Sequence, residues 1–366
     1  MPEEGITRRD FVRQAAGTAA GAALVKLLPG EAPAADAAKP DPAKALNYNP
    51  KMRYRPFGHT GVMLSELGLG GHWKTPTGGR YWERFPKDIP PPDVQKNRDE
   101  VVAKCAELGV NYLDVTTRGE AAVYGRAMKR TGAKLHVGYS DHILCIRDPK
   151  NRTVEKMTFE IDEGLRRLQV DRIWLWRPQA LMNGGHTVAE MDRVVEAYDR
   201  AKKQGKVLYL GMSTHSHKFA RWVLEKWGDR FHGFVFMYTV SSERKPSDSL
   251  FDAVRARRAG AIALKPFHGN AYFRVQLGRA RRAGRKPDLN AAAVAGLRKI
   301  LDVPELTCVI PGMTTAAEVS ANAKCSSPGA GKLPRAQREA VAALARASLE
   351  QLPAEYAWIR DQGTFV

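Results

Sequence analysis

A glycine-rich turn near the end of the sequence has the residue types and spacing of a phosphate-binding site. The turn Gly312-Met313-Thr314-Thr315 follows an apolar run and precedes a helical pattern that contains Asn322. Free N–H groups at the N-terminus of a helix, together with the positive end of its dipole, bind phosphate. The alternative is that Thr314 or Thr315 only caps the helix, with Glu318 in the first turn.

Other polar side chains stand directly after apolar runs that have the length of a strand. Ser213 follows the run 207–212, and Arg177, His215 and Lys265 lie just beyond other such runs. In a barrel of parallel strands, sites are built at the carboxyl ends of the strands. These side chains are therefore candidates for one shared site. The alternatives are solvated loop residues and, for Ser213, a turn-capping hydroxyl.

Strand-like runs alternate with helical patterns from residue 52 onward. Strands are predicted over residues 64–70, 110–114, 135–139, 172–176, 207–212, 233–238, 261–264 and 307–310. Helices are predicted over residues 93–108, 121–128, 153–168, 191–204, 219–227, 250–258 and 291–301, with a last one from 318. This alternation implies right-handed crossovers and a parallel sheet. Eight such units predict an α/β fold, the (β/α)8 TIM barrel, since no G-x-G-x-x-G pattern supports a doubly wound sheet.

Four patterns, in this order, resemble the aldo/keto reductase family, whose barrel binds NADP(H). They are Tyr54-Arg55-Pro56-Phe57-Gly58 with the run 64–70, Gly109-Val110-Asn111-Tyr112-Leu113-Asp114, the segment 205–213, and the segment 311–322. The resemblance implies that Asp114 is the catalytic aspartate and that Ser213 binds the nicotinamide carboxamide. It also implies NADP(H) as the cofactor and a small carbonyl or sugar-like ligand. The residues implied for the 2′-phosphate and adenine are Gly312, Thr314, Thr315 and Asn322.

Three of the four groups that carry carbonyl reduction in this family are missing from their expected places. The family's tyrosine protonates the developing alkoxide, a lysine and an aspartate lower the pKa of that tyrosine, and a histidine orients the carbonyl. The tyrosine position holds Gly119, the lysine position Ser140 or Asp141, and the histidine position Trp176. Only the aspartate has a counterpart, Asp114, which is expected to pair with Arg118 or with a basic group from a neighbouring strand.

Several residues are candidates for the missing proton donor. Tyr124 is disfavoured, because the pattern around it matches a family helix and places it about two turns from the barrel mouth. The other candidates are Tyr139, His142, His72 and Tyr81. The loops 72–93 and 267–288 are expected to set substrate specificity.

The first 37 residues have the features of a twin-arginine export signal. Arg8 and Arg9 precede a weakly apolar stretch rich in alanine and glycine, followed by small-residue cleavage sites. An amphipathic helix is the alternative. The sequence thus predicts a signal peptide over 1–37, a linker over 38–51, a barrel over 52–325 and a helical extension over 326–366. The expected location is periplasmic or extracellular, with no stable membrane span in the mature protein.

Composition excludes some other functions. The sequence has 58 Lys and Arg against 39 Asp and Glu, a net charge of +19, which favours acidic surfaces or anionic ligands. No nucleic-acid motif accompanies the basic cluster at residues 274–286, so a nucleic-acid partner is not expected. The four cysteines lie far apart without a CxxC pattern, so no metal site is expected and the thiols are predicted to be buried.

Two functions from different classes fit these observations best, and a third, a polyanion-binding protein, is suggested by the net charge and the basic cluster at residues 274–286. The first is an exported oxidoreductase of the aldo/keto reductase type with a non-standard acid/base set. The second is a noncatalytic barrel, a pseudoenzyme, that binds a nucleotide or a periplasmic ligand. The sequence leaves open both catalytic activity and oligomeric state.

The export signal can be tested by replacing both arginines with lysine. We expect Arg8→Lys with Arg9→Lys to block export, because the twin-arginine route reads the arginine pair. The measurement is the amount of processed protein outside the cytoplasm, with Arg13→Lys as the control. Unchanged secretion of the double variant through that route contradicts the prediction.

Overall fold

The computed structural model describes residues 40–71, 73, 88–245, 247 and 249–362. The predicted export signal, His72 and Tyr81 lie outside the described residues. Two short antiparallel strands come first, β1 (Tyr54–Pro56) and β2 (Met63–Ser65). Seven parallel strands follow, hydrogen-bonded in chain order: β3 (Tyr112–Val115), β4 (His136–Tyr139), β5 (Ile173–Trp176), β6 (Val207–Thr214), β7 (Gly233–Met237), β8 (Gly260–Leu264) and β9 (Cys308–Ile310).

The segment 67–70 closes the sheet into a barrel. Leu67 bridges Val309 of β9, and Leu69 bridges Leu113 of β3, both in parallel orientation. This segment is the second half of the strand predicted over 64–70. The first half belongs instead to β2, because residues 63–65 pair with β1. The predicted (β/α)8 fold is confirmed.

Helices cover the outside of the barrel and add a C-terminal layer. They are α1 (Pro92–Glu107), α2 (Arg118–Thr131), α3 (Val154–Leu168), α4 (Val188–Lys203), α5 (His217–Trp227), α6 (Leu250–Arg257), α7 (Ala271–Arg282), α8 (Leu289–Leu301), α9 (Ala316–Ala323), α10 (Arg335–Glu350) and α11 (Ile359–Gln362). Short 3₁₀ helices are Pro42–Lys44, Gly58–Thr60, Pro149–Asn151, His268–Asn270, Lys324–Ser326, Pro328–Ala330 and Ala354–Tyr356. The helix α7 was not predicted and lies in the predicted specificity loop 267–288.

The β1–β2 hairpin closes the amino end of the barrel. Phe57, wholly buried in this hairpin, lies 5.0 Å from the ring of Trp174. A Cβ on Gly233 or Gly260 would stand 2.1 or 2.3 Å from the Phe57 ring, so only glycine leaves room for it. Filling this end leaves the carboxyl ends of the strands as the open face.

The segment before the hairpin lies against the barrel. The side-chain amide of Asn47 donates to the carbonyls of Val110 and Lys134, at 3.2 and 2.8 Å. All four cysteines are buried and free, as predicted. None of the described helices has the length and apolar character that crossing a membrane requires.

Candidate functional site

A cavity of about 550 Å³ opens at the carboxyl ends of the strands, a size suited to a small molecule. Five of the six residues predicted for the site line it, namely Asp114, Ser213, Gly312, Thr314 and Asn322. The sixth, Thr315, does not line this cavity. His215 and Lys265, which follow strands, do. The fold thus brings together side chains that lie up to about two hundred residues apart in the sequence.

A buried ion pair lies at the floor of this cavity, with Asp114 lining the cavity and Arg177 behind it. The Asp114 carboxylate lies 2.7 Å from the Arg177 guanidinium, and the two side chains are 5% and 0% exposed. Arg177 also donates to the carbonyl of Val115 at 3.0 Å and to Ser140 Oγ at 3.1 Å. Burial raises the pKa of Asp114, whereas Arg177 and the Tyr112 hydroxyl, 3.1 Å away, favour its ionised form. The arginine is therefore held in place by an acid, a hydroxyl and a carbonyl.

Arg177 is a site residue whose role the sequence analysis missed. From the sequence, Arg177 was one of several polar residues that follow predicted strands and could belong to the site. The alternative was a solvated residue in a loop. That alternative is wrong, because the side chain is wholly buried. The expected pairing of Asp114 with Arg118 is also wrong, since Arg118 pairs with Asp141 at 2.8 Å. The other expectation, a basic group from a neighbouring strand, is correct only in the kind of partner, because Arg177 follows β5 and β4 lies between β5 and β3.

The residues at the positions implied for the missing catalytic groups either join this network or lie outside it. Ser140, at the lysine position, accepts hydrogen bonds from Arg177 and from the amide of Gln179 at 2.9 Å. Trp176, at the histidine position, donates its indole Nε1–H to the carboxylate of Glu160 in α3, at 3.4 Å. Gly119 is in the first turn of α2. At the positions where the resemblance implies acid and base groups, the structure thus has a network centred on the Arg177 guanidinium.

The candidate proton donors differ in their access to the cavity. Tyr124 is wholly buried and packs edge-on against Trp73, and Tyr139 packs against Gly164 of α3. Burial raises the pKa of both tyrosines. His142 does line the cavity.

Tyr356, from the C-terminal extension, also lines the cavity, although the sequence analysis did not consider it. No local pattern could have indicated it, since it lies after the last strand and outside the four family patterns.

The predicted phosphate site already holds a carboxylate of the protein itself. Glu318 accepts the backbone N–H of Thr314 at 2.6 Å, and Thr315 Oγ1 accepts the N–H of Glu318 at 3.1 Å. This is the capping geometry that the sequence left open. Arg98 of α1 donates hydrogen bonds to the carbonyls of Met313 and Thr314 and so holds this turn in place. A phosphate can reach the Thr314 N–H only after Glu318 moves.

The fold is similar to that of solved aldo-keto reductases. The holo form of aldo-keto reductase AKR11C1 from Bacillus halodurans superposes with a TM-score of 0.57 at 18% identity, covering 83% of this chain and 99% of that chain. Its apo form gives a TM-score of 0.55 with the same identity and coverage. At this identity the likeness shows the fold. No protein-family model and no curated protein matches the sequence.

We expect Asp114→Asn to destabilise the protein by about 3 to 5 kcal/mol, because it leaves the Arg177 guanidinium buried without a counterion. Urea unfolding of the variant measures this loss. Asp114→Leu combined with Arg177→Met removes both charges and should recover most of the stability. A double variant less stable than Asp114→Asn would contradict this account of the pair.

A second prediction concerns Glu160, whose pKa is raised from 4.5 to about 8, chiefly by burial. In the unfolded chain this carboxyl ionises near pH 4.5, whereas in the folded protein it keeps its proton until about pH 8. Its contribution to stability is therefore full below pH 4.5 and is lost as the pH rises to about 8.

Glu160→Gln should remove this dependence, so that the variant gains stability relative to the parent between pH 5 and pH 8. Urea unfolding at the two pH values measures the gain. Glu155→Gln, on the exposed side of the same helix, is the matched control. Parallel pH profiles for the parent and Glu160→Gln would show that the carboxyl ionises normally.

Proposed function

We propose that the chain is an exported oxidoreductase of the aldo/keto reductase type that binds NADP(H) in the strand-end cavity. One observation carries the proposal: Ser213, Gly312, Thr314 and Asn322, which lie in two separate segments, line one cavity in a barrel of this fold. Location outside the cytoplasm, by the twin-arginine route, is part of the same proposal and depends on residues 1–37.

The residues present fit a dinucleotide in part. Ser213 stands near the end of β6, where its hydroxyl can bind a carboxamide, and Asn322 of α9 offers an amide to an adenine ring. Glu318 opposes the 2′-phosphate of NADP(H), since like charges repel. When bound, the nicotinamide supplies a hydride, and the chain's own task is to orient the acceptor and provide a proton.

The acid in this site differs from that of the family. Asp114 is paired with Arg177 and, when ionised, has no proton to give. Among the described residues, Tyr356 is the tyrosine that lines the cavity, and its ring centre is 5.3 Å from the ammonium of Lys265. We therefore assign Tyr356 as the first residue to examine for general-acid catalysis.

A noncatalytic barrel that binds a ligand is the second candidate function. The observation that favours it is the Arg177 network, which fills the lysine position with a bound serine and turns the histidine position away. Loss of general-acid catalysis costs about 10²- to 10⁴-fold in rate. Turnover of simple aldehydes far below about 1 per second, unaffected by Tyr356→Phe, supports this candidate. Turnover abolished by Tyr356→Phe supports the oxidoreductase.

The cofactor proposal predicts that NADPH raises the melting temperature, since a ligand of the native state stabilises it. Glu318→Gln should tighten NADPH binding more than NADH binding, because the substitution removes a negative charge beside the 2′-phosphate. Calorimetric titration with both nucleotides measures the difference. Glu339→Gln, on an exposed face of α10, is the control.

Two results would contradict this prediction. If millimolar NADPH changes neither the melting temperature nor the intrinsic fluorescence, the cofactor proposal is wrong. If Glu318→Gln tightens the binding of NADPH and NADH equally, the Glu318 carboxylate does not face the 2′-phosphate.

A further inference from the structure

Two basic side chains line the cavity without a carboxylate partner. Arg147, in the loop after β4, donates its Nε–H to the carbonyl of Ala180 at 2.8 Å. Lys265 stands directly after β8, in a backbone conformation with φ of 57°, and its ammonium faces the Tyr356 ring. Neither side chain forms an ion pair with a carboxylate of the described segments.

The carboxylates of the cavity are engaged elsewhere or lie at its rim. Asp114 is paired with Arg177, and Glu318 accepts the Thr314 N–H. Glu355 is exposed at the rim. Arg274, also exposed at the rim, donates to the carbonyl of Gln351. The inner part of the cavity therefore has two positive charges that no described carboxylate balances.

These two charges are close enough to repel each other. Burial, and then the charge of Arg147, lowers the pKa of Lys265 to about 8. Burial also lowers the pKa of Arg147, and the charge of Arg177 adds to that effect. Cations removed from water and held near one another are costly, and an anion bound between them reduces that cost.

We propose that the cavity binds a small organic carboxylate that also carries a carbonyl group, with its carboxylate between Arg147 and Lys265. A guanidinium binds a carboxylate through two parallel hydrogen bonds, and an ammonium adds a point charge. Gln179 and His142 supply polar groups nearby, and Phe267 and Phe273 supply apolar walls. The expectation that the ligand carries a carbonyl group rests on the proposed function. The expectation that the cavity binds a carboxylate does not.

Acids and their uncharged counterparts test the proposal. The probes for the purified full chain are pyruvate with methyl pyruvate, and glucuronate with glucose. At least one acid should raise the melting temperature and bind at least tenfold more tightly than its uncharged counterpart. Equal binding of acid and counterpart, or binding of neither acid, overturns the proposal.

Two variants locate the anion. Arg147→Gln and Lys265→Met should each weaken binding of that acid at least tenfold. Lys150→Met, at an exposed lysine of the same loop as Arg147, should leave it unchanged. Without ligand, Lys265→Met should melt at a higher temperature than the parent, because the substitution removes a cation that Arg147 repels. That melting temperature also shows that the variant is folded. Unchanged affinity in both cavity variants overturns the proposal.

The diphosphate of a dinucleotide is also an oxyanion and could bind the same basic pair. Binding of the acid is therefore measured with and without NADPH. If the acid binds equally well with and without saturating NADPH, the anion site belongs to the substrate. If NADPH competes with the acid, the basic pair serves the nucleotide and the substrate assignment is overturned. If the acid binds and NADPH does not, the proposed function fails and the anion site stands.

Discussion

The charge distribution at the mouth of the barrel depends on the ion pair between Asp114 and Arg177. It lies at the carboxyl ends of β3 and β5, where the resemblance implies an acid and base set. Because Arg177 binds Asp114, Ser140 and the carbonyl of Val115 together, it fixes the ends of neighbouring strands. The aspartate that the resemblance implies is thus present, but its carboxylate is paired with Arg177 and accepts a hydrogen bond from the hydroxyl of Tyr112, a buried tyrosine that does not line the cavity.

The charges around the cavity follow from this arrangement. Asp114 neutralises Arg177, so no acid of the barrel floor remains for Arg147 or Lys265. At the turn after β9, Glu318 serves the backbone of its own helix in the same way. Asp114 and Glu318 are therefore engaged within the protein, whereas Arg147 and Lys265 line the cavity without a carboxylate partner among the described residues. The net charge of +19 is in keeping with this, but it could not show where the unpaired cations lie.

The strands could be predicted because they are short apolar runs, and most helices because their apolar residues recur at helical spacing and most of them begin at a capping Ser, Thr or Asp. The helix α7 was missed because its start is unusual: Asn270 precedes it with φ of 73° and makes no side-chain cap. The first strand was predicted too long, since its apolar run continues through the β1–β2 hairpin. Ser213, Gly312 and Thr314 could be predicted to share a site because they lie at or just beyond the carboxyl ends of strands, whereas Asn322, near the end of α9, was implied by the resemblance alone.

The partners of charged residues could not be predicted, because they depend on which strands become neighbours. Arg177 and Arg118 look alike in sequence, each standing just beyond a strand. The fold sends one into the barrel and the other to Asp141. Tyr356 reaches the cavity only because the C-terminal extension returns over the barrel mouth.

Packing alone does not explain why a charged pair occupies the barrel floor. Apolar residues of similar volume often replace a buried ion pair without loss of stability. Stability alone therefore does not account for the pair, and its effect on the cavity is electrostatic. Asp114 lines the cavity whereas Arg177 lies behind it, so the pair presents its negative end to the cavity floor. An anionic group bound by Arg147 and Lys265 is repelled from that floor, which leaves the uncharged part of the same ligand to face Asp114.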